Sequence, residues 1–169
     1  MQFRDLRLED AAGLLEFELI NRAWFERTVE ARKEEFYSIA GAVAHVRECL
    51  DAYAGGTMHP CVMVDAEGNI AGRLNLRFID VAHGSGEIGY RIAELHCGQG
   101  WASASVRHMQ QLAYGTWHLR SLVAYASVEN HASARVLEKN GFVRQELIRD
   151  RSFVQRRKLD AYRYRHTAD

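Results

Sequence analysis

A short glycine-containing segment, Cys97-Gly98-Gln99-Gly100-Trp101-Ala102, has the residue types of an anion-binding loop. It follows a strand-like run over 87–92 and precedes a helix-like run over 102–117. Glycines at such a junction let the backbone approach a ligand closely. The free N–H groups and the positive dipole end of the following helix attract phosphate or another anion. The segment therefore predicts a phosphate-binding loop, although a plain strand-to-helix turn has the same local composition.

A second segment, Asn130 to Phe142, places polar side chains at the start of another predicted helix. Asn130 is a favoured N-cap, and Ser133 falls in the first turn, where a serine can also bond to the backbone. Gly141 is typical of the position that ends a helix. Asn130 and Ser133 are therefore candidate ligand-binding side chains as well as helix-capping residues.

The elements that must position these segments follow from hydrophobic periodicity and turn residues. The predicted order is βααβββαβαββ, which gives an α/β (α+β) fold with a mixed, mostly antiparallel sheet flanked by helices. Asp10 is the expected N-cap of the first helix. The pattern of residues 21–42 does not indicate which helices or strands they form. The first predicted strand begins at Phe3. The other predicted strands span 61–64, 70–79, 87–92, 121–127, 142–148 and 159–164. The later predicted helices span 43–53, 102–117 and 132–140.

Composition restricts the class of protein. The chain has 169 residues, 47% apolar and 26% charged, which suits one domain over 1–169. The formal net charge of zero argues against a dedicated nucleic-acid binder. No apolar run approaches the ~20 residues that span a bilayer, and the N-terminus lacks a signal-peptide pattern. We therefore expect a cytoplasmic protein with no membrane partner.

The charged residues are distributed unevenly along the chain, and the cysteines and histidines lack the spacing of metal ligands. Residues 1–51 hold eleven acidic and seven Lys or Arg residues, whereas 144–165 hold three acidic and eight Lys or Arg residues. This asymmetry is either solvated surface or a pair of regions facing a cationic and an anionic substrate. The three cysteines and eight histidines lack disulfide or metal-ligand spacing, so we expect no metal.

The two segments together resemble the GNAT N-acetyltransferase superfamily. The family loop reads Gln/Arg-x-x-Gly-x-Gly/Ala, and here Cys97 stands at its first position, followed by Gly100 and Ala102. The form Gly-Gln-Gly-Trp-Ala, the Gly89-Tyr90 pair and the Asn130 segment are most similar to the RimJ/RimL-like branch that acetylates ribosomal proteins. The order and spacing of these motifs extend over nearly the whole chain.

The resemblance implies acetyl-CoA as the acetyl donor and a primary amine as the acceptor, attacked directly without a covalent enzyme intermediate. It implies that the pantetheine arm lies beside the strand 87–93 and that the diphosphate lies on the glycine loop. The implied cofactor-binding residues are Tyr90, Arg91, Ile92, Cys97, Gly98, Gln99, Gly100, Trp101, Ala102, Asn130 and Ser133.

The resemblance also suggests catalytic roles. Many family members carry a proton-donating tyrosine where this chain has Leu137, so Ser133 becomes the candidate donor to the leaving CoA thiolate. Glu87 is the candidate base that accepts a proton from the acceptor ammonium, if it points to the acceptor side of its strand. Tyr90 and Tyr125 are rival polar groups nearby. A backbone N–H of the strand 87–92 is expected to stabilise the oxyanion.

Several alternatives remain open at this point. The acceptor is a protein N-terminus, as in the RimJ/RimL-like branch, or a small amine such as a polyamine, an aminoglycoside or an amino acid. The departures at Cys97 and Leu137 are also compatible with an acetyl-CoA sensor that has no catalytic activity. Trp24, Phe25 and the glutamates of the 21–42 segment could belong to the acceptor site, Arg135 and Lys139 could approach the CoA phosphates, and a homodimer is possible.

Overall fold

The computed structural model describes residues 1–168 and shows one seven-stranded sheet. The strands are β1 Gln2–Asp5, β2 Met58–Val64, β3 Ile70–Asp80, β4 Ser85–Ile92, β5 Ser121–Ser127, β6 Val143–Val154 and β7 Arg157–Thr167. The helices are α1 Ala11–Ile20, α2 Arg22–Phe25, α3 Ile39–Ala54, α4 Trp101–Gln111 and α5 His131–Lys139. Short 3-10 turns occupy Leu8–Asp10, Glu34–Phe36 and Glu94–His96, and a π-helical turn spans Leu112–Thr116.

The strand order in the sheet is β1-β2-β3-β4-β5-β7-β6, and only the β4–β5 pair is parallel. The predicted mixed, mostly antiparallel sheet flanked by helices is therefore confirmed. Among residues 1–168, no helix has the length and apolarity needed to cross a bilayer.

Each face of the sheet carries its own apolar core. On one face Met109 and Val106 of α4 pack with Leu74, Leu76 and Leu122 of the strands. On the other face the core is formed by α1 and α3 together with β2, through Leu14, Phe17, Val46 and Val62. The sheet therefore lies between two helical layers, each of which buries one face of its strands.

Side-chain caps mark the starts of α3 and α5. The Ser38 side chain accepts a hydrogen bond from the Gly41 N–H at 3.0 Å and caps α3, which begins four residues before the predicted start. A Cβ at Gly41 would lie 1.8 Å from the Glu35 carbonyl oxygen, so only glycine fits there. Asp10 does not cap α1 as predicted, because its carboxylate accepts from the Arg4 guanidinium and from the Arg7 N–H.

Three other boundaries differ from the sequence prediction. The first strand ends at Asp5, because Leu8 already belongs to a 3-10 turn. The helix predicted over 102–117 is α4 followed by the wider π-helical turn. The last two strands are longer than predicted, because β6 and β7 pair with each other as far as Val154 and Arg157, and β7 pairs with β5 as far as Thr167.

Candidate active site

The parallel strands β4 and β5 pair only at their first residues and then separate. Their register runs from Ser85 opposite Ser121 to Glu87 opposite Val123 and goes no further. Beyond Glu87, β4 stays paired to β3 up to Ile92, so its other edge has no strand partner in the part of the chain described. An unpaired strand edge presents backbone N–H and C=O groups to a ligand. The resulting gap lies in the middle of the sheet.

Two cavities meet at this gap. The first, here called the loop cavity, has a volume of about 380 Å³ and is lined by the glycine loop, the start of α4, and parts of α2, β4 and α5. The second, here called the arginine cavity, has a volume of about 340 Å³ and is lined by polar residues of β3, β4 and β5. Six residues line both cavities: Thr28, Val29, Tyr90, Arg91, Asn130 and Ser133.

The glycine loop has the backbone that a phosphate-binding loop needs. Gly98 and Gly100 adopt φ values of +75° and +83°, a left-handed conformation that favours glycine. A Cβ added to either glycine would meet no atom within 4 Å, so the space in front of the loop is open. The first N–H groups of α4 have no acceptor within the helix. Together these features form a cradle of donors and a positive dipole end that fits a diphosphate.

The side chains of the loop behave differently from one another. Trp101 stacks on His96 with ring centroids 3.9 Å apart, which fixes one wall of the loop cavity. Gln99 does not line the cavity, because its amide donates to the Leu95 carbonyl at 2.8 Å. The Cys97 thiol donates to the Ala93 carbonyl at 3.5 Å, and burial together with Glu94 raises its pKa. Cys97 is thus a neutral thiol rather than an activated nucleophile.

Asn130, Ser133 and Tyr90 form the junction between the cavities. The Asn130 side-chain oxygen accepts from the Ser133 N–H at 3.0 Å, so Asn130 caps α5 and also faces both cavities. The Ser133 hydroxyl lies 3.0 Å from the Tyr90 hydroxyl. Burial raises the pKa of Tyr90 to about 12, so Tyr90 keeps its proton at neutral pH. The two hydroxyls can therefore pass a proton to an atom bound in the gap. Leu137 is buried below them and has no polar group to offer.

Other residues of the loop cavity were assigned only loosely from sequence. Arg135 and Lys139 of α5 line it and can place positive charge near bound phosphates. Trp24 and Phe25 of α2, predicted to belong to the acceptor site, also line this cavity. Their segment gave no clear period in the sequence, because α2 is only four residues long.

The Glu87 side chain points into the arginine cavity. The sequence alone could not establish on which face of its strand this side chain lies. It lies opposite Arg77 in the β3–β4 ladder, and residues directly opposite share one face of a sheet. Its carboxylate accepts from Arg77 Nε at 2.9 Å. The carboxylate is buried and ion-paired, and it lines the cavity near the point where β4 and β5 separate.

Arg73 and Asn75, which lie on the same face, were not identified from sequence, whereas Arg91 was predicted only as a cofactor-binding residue. Arg73 and Asn75 precede Arg77 at alternate positions of β3, and Arg91 lies opposite Arg73 on β4. Arg91 donates to Glu18 Oε2 at 2.9 Å, and Arg32 also pairs with Glu18. The sequence signal that could have identified this polar face was the alternation of polar residues along 73–77, since a strand places residues i and i+2 on one face.

One group of possible metal ligands, Asp5, His59 and Cys61, lies away from both cavities. Trp117 Nε1 donates to His59 Nδ1 at 2.9 Å, so the other ring nitrogen carries the proton and donates to Asp5 at 2.9 Å. Burial raises the pKa of the Cys61 thiol to about 12. Protein hydrogen bonds therefore use both ring nitrogens.

Comparison with known proteins agrees with the geometry. Residues 1–143 match the family described as the acetyltransferase (GNAT) domain. An uncharacterised N-acetyltransferase, p20, of Bacillus licheniformis is 27% identical over 103 residues, which are 61% of this chain and 58% of the relative. The chain thus spans little more than half the length of that relative.

Solved structures share the fold. The ribosomal-protein-S5-alanine acetyltransferase of Vibrio fischeri has a TM-score of 0.94 at 20% identity, covering 99% of this chain and 93% of that one. The spermidine N-acetyltransferase of Vibrio cholerae, in complex with CoA and spermine, has a TM-score of 0.82 at 21% identity, covering 98% and 94%. The similarity to the ribosomal-protein branch is supported at the level of the fold, and the family match shows that the chain belongs to the GNAT acetyltransferase family.

Proposed function

We propose that this chain transfers an acetyl group from acetyl-CoA to a primary amine, and that the amine is the N-terminal α-amine of a protein. The observation that carries the proposal is the meeting of the loop cavity and the arginine cavity at Tyr90 and Ser133. One cavity has an anion cradle and the other is polar, so two different substrates can meet through the gap between β4 and β5.

The residues around the loop cavity fit acetyl-CoA. The open space in front of Gly98 and Gly100, with the N–H groups of α4, suits the diphosphate, and Arg135 and Lys139 add positive charge. The unpaired edge of β4 offers backbone groups to the amides of the pantetheine arm. When bound, acetyl-CoA supplies the acetyl group as an activated thioester. The proposed cofactor-binding set includes Tyr90, Arg91, Ile92, Asn130 and Ser133, but not the Gln99 side chain.

The chain's own groups can move the protons that the reaction requires. Glu87 accepts a proton from the acceptor ammonium, directly or through water, because only the neutral amine is a nucleophile. A backbone N–H on the free edge of β4 stabilises negative charge that develops on the acetyl oxygen. Ser133, hydrogen-bonded to Tyr90, donates a proton to the leaving sulfur. No covalent intermediate on Cys97 is needed.

Replacing Ser133 with alanine should lower kcat more than it weakens cofactor binding. General-acid groups contribute about 100-fold or more, and the weakly basic thiolate needs less help, so we expect kcat to fall about 10- to 100-fold. The Kd of acetyl-CoA, measured by calorimetry, should change little. Ser133→Thr keeps the hydroxyl and should retain most activity. An unchanged kcat in Ser133→Ala would remove Ser133 from the proton path.

Replacing Glu87 with glutamine should produce a defect that depends on pH. We expect kcat/KM at neutral pH to fall about 10- to 100-fold, since the amine then lacks a proton acceptor. The defect should shrink above about pH 8, where a free α-amine is already neutral in solution. A pH–rate profile with one peptide acceptor measures this. A deficit of the same size at every pH would mean that Glu87 acts only by holding Arg77.

Two other functions make different predictions. A polyamine acceptor, such as that of the Vibrio cholerae relative, would place several ammonium groups in the arginine cavity beside Arg32, Arg73 and Arg91. Like charges repel in a poorly solvated site, so this acceptor is disfavoured. A sensor would bind acetyl-CoA without turnover. CoA release with a panel of peptides and small amines separates the three: we expect release with peptides, whereas binding without release from any amine would favour the sensor.

A further inference from the structure

The arginine cavity contains more buried positive charge than the protein neutralises. Arg32, Arg73 and Arg91 all line it, and in residues 1–168 the one carboxylate paired with any of them is Glu18, which is fully buried and is shared by Arg32 and Arg91. Of the two other glutamates in the lining, Glu87 pairs with Arg77 and Glu30 is exposed. Within residues 1–168, Arg73 has no salt-bridge partner, although only 4% of its surface is exposed. A buried charge without a counter-charge is strongly unfavourable, so we expect an anion to bind beside Arg73.

The neighbours of Arg73 do not supply that anion. Its Nη2 donates to Cys49 Sγ at 3.2 Å, but burial raises the pKa of this thiol, so the sulfur is uncharged. His45 contacts Cys49, and burial together with the nearby guanidinium groups lowers the His45 pKa to about 3, so the ring is neutral. Burial lowers the pKa of Arg73 itself to about 10, which still leaves it protonated at neutral pH.

Unused hydrogen-bonding groups show where an acceptor molecule would be held. Among the residues that the structure describes, no group accepts a hydrogen bond from the buried Nε–H groups of Arg73 and Arg32, and both residues line the cavity. Two buried acceptor atoms, Asn75 Oδ1 and Ser127 Oγ, are also without partners and line the same cavity. Buried polar atoms normally have hydrogen-bond partners. Four buried polar atoms without partners around one cavity therefore indicate a bound ligand that would supply those partners.

The unpaired donors and acceptors are arranged in a definite order along the sheet. Arg73 lies opposite Arg91, Asn75 lies opposite Gly89, and Glu87 follows towards the separation of β4 and β5. Arg73 and Asn75 are two residues apart, which corresponds to about 7 Å along a strand. The acceptor amine would therefore lie near Asn75 and Glu87, and an acidic group of the same molecule would lie a few bonds away, beside Arg73.

We propose that the acceptor carries a carboxylate close to its amine, and that Arg73 and Arg32 bind this carboxylate. The proposal rests on the proposed amine acetylation and adds a substrate requirement to it. The carboxylate is either the α-carboxylate of a free amino acid or the acidic side chain of a residue next to a peptide N-terminus. Both sources present the same chemistry to the two guanidinium groups, which bind carboxylates through several parallel N–H donors.

Matched acid and amide probes test this proposal. Serine is compared with serinamide, and the dipeptide amide Ser-Asp is compared with Ser-Asn, by calorimetry in the presence of CoA and by kcat/KM with acetyl-CoA. Charged hydrogen bonds of this kind correspond to a preference of about 10- to 100-fold for the acid member of a pair. A preference in the first pair alone identifies a free amino acid and would replace the protein N-terminus as the proposed acceptor, whereas a preference in the second identifies an acidic peptide N-terminus. Equal binding and equal kcat/KM within both pairs would overturn the proposal.

Variants assign the preference to the proposed residues. Arg73→Gln should reduce the acid preference, which is the ratio of kcat/KM for the acid to kcat/KM for its amide, to about threefold or less. Arg47→Gln, the same change at an exposed arginine of α3, should keep the preference. A preference that survives in a folded Arg73→Gln protein would overturn the assignment, and the wild-type comparison stands even if that variant does not fold. Acids that bind preferentially without acetylation of any amine would contradict the proposed function but support the carboxylate site.

Discussion

The Gly100→Glu variant is expected to bind acetyl-CoA at least about 100-fold more weakly than the wild type, a loss near 2.7 kcal/mol. Gly100 has a φ of +83°, so a side chain there strains the backbone, and the open space in front of it would receive a carboxylate. That carboxylate would repel the diphosphate at the start of α4 and fill the space the diphosphate needs. Calorimetric titration of acetyl-CoA measures the effect.

Gly68→Glu is a matched control for this prediction. Gly68 lies in the turn between β2 and β3 with a φ of +90°, and a Cβ there also meets no atom within 4 Å. The control therefore introduces the same charge and a similar backbone strain away from the loop cavity. We expect its acetyl-CoA affinity to match that of the wild type. Equal affinities for Gly100→Glu and wild type would show that the glycine loop does not hold the cofactor.

The Glu18→Gln variant is expected to lower the free energy of unfolding by about 3–5 kcal/mol. Glu18 is fully buried on α1 and is the shared partner of Arg32 and Arg91. Removing its charge would leave these two guanidinium groups and Arg73 together in a poorly solvated region with no counter-charge. Urea denaturation with a comparison of m-values measures the loss and tests whether unfolding stays two-state.

Glu26→Gln provides the matched control for Glu18. Glu26 pairs with Arg22 at 2.8 Å on the surface, where both side chains are about one third exposed. Pairs of this kind contribute about 0–1 kcal/mol, so the control should be nearly neutral. A second change, Arg32→Met, should restore part of the stability lost in Glu18→Gln, because it removes one of the unpaired charges. Similar losses in Glu18→Gln and Glu26→Gln would contradict the buried charge excess described above.

The parts of the site that could be predicted are those with local signals. Gly98 and Gly100 need left-handed backbone conformations, and Asn130 caps a helix through its nearest N–H groups. Such requirements depend on a few adjacent residues, so they are visible in the sequence. The family resemblance then placed these signals in one fold, and the structure and the family match agree with it.

The parts that could not be predicted depend on contacts between distant residues. Ser133 and Tyr90 are 43 positions apart, and their hydrogen bond depends on the packing of α5 against α4 and β5, next to the gap beside β4. The ion pair between Glu87 and Arg77 depends on the exact β3–β4 register. Arg73 has the composition of a surface residue in the sequence, and its burial follows from the packing of α3 against that face of the sheet. Burial of this kind cannot be read from one strand.

Direct transfer from acetyl-CoA to an amine is the central claim, and mass spectrometry of a reaction mixture tests it most directly. The wild-type protein is incubated with acetyl-CoA and the probe peptides, and both peptide and protein are analysed during and after turnover. We predict acetylation of the peptide α-amine, with release of CoA and no acetyl group on Cys97 or elsewhere on the protein. Tight acetyl-CoA binding with no acetylated amine, or an acetylated protein that passes its group to the peptide, would contradict the account.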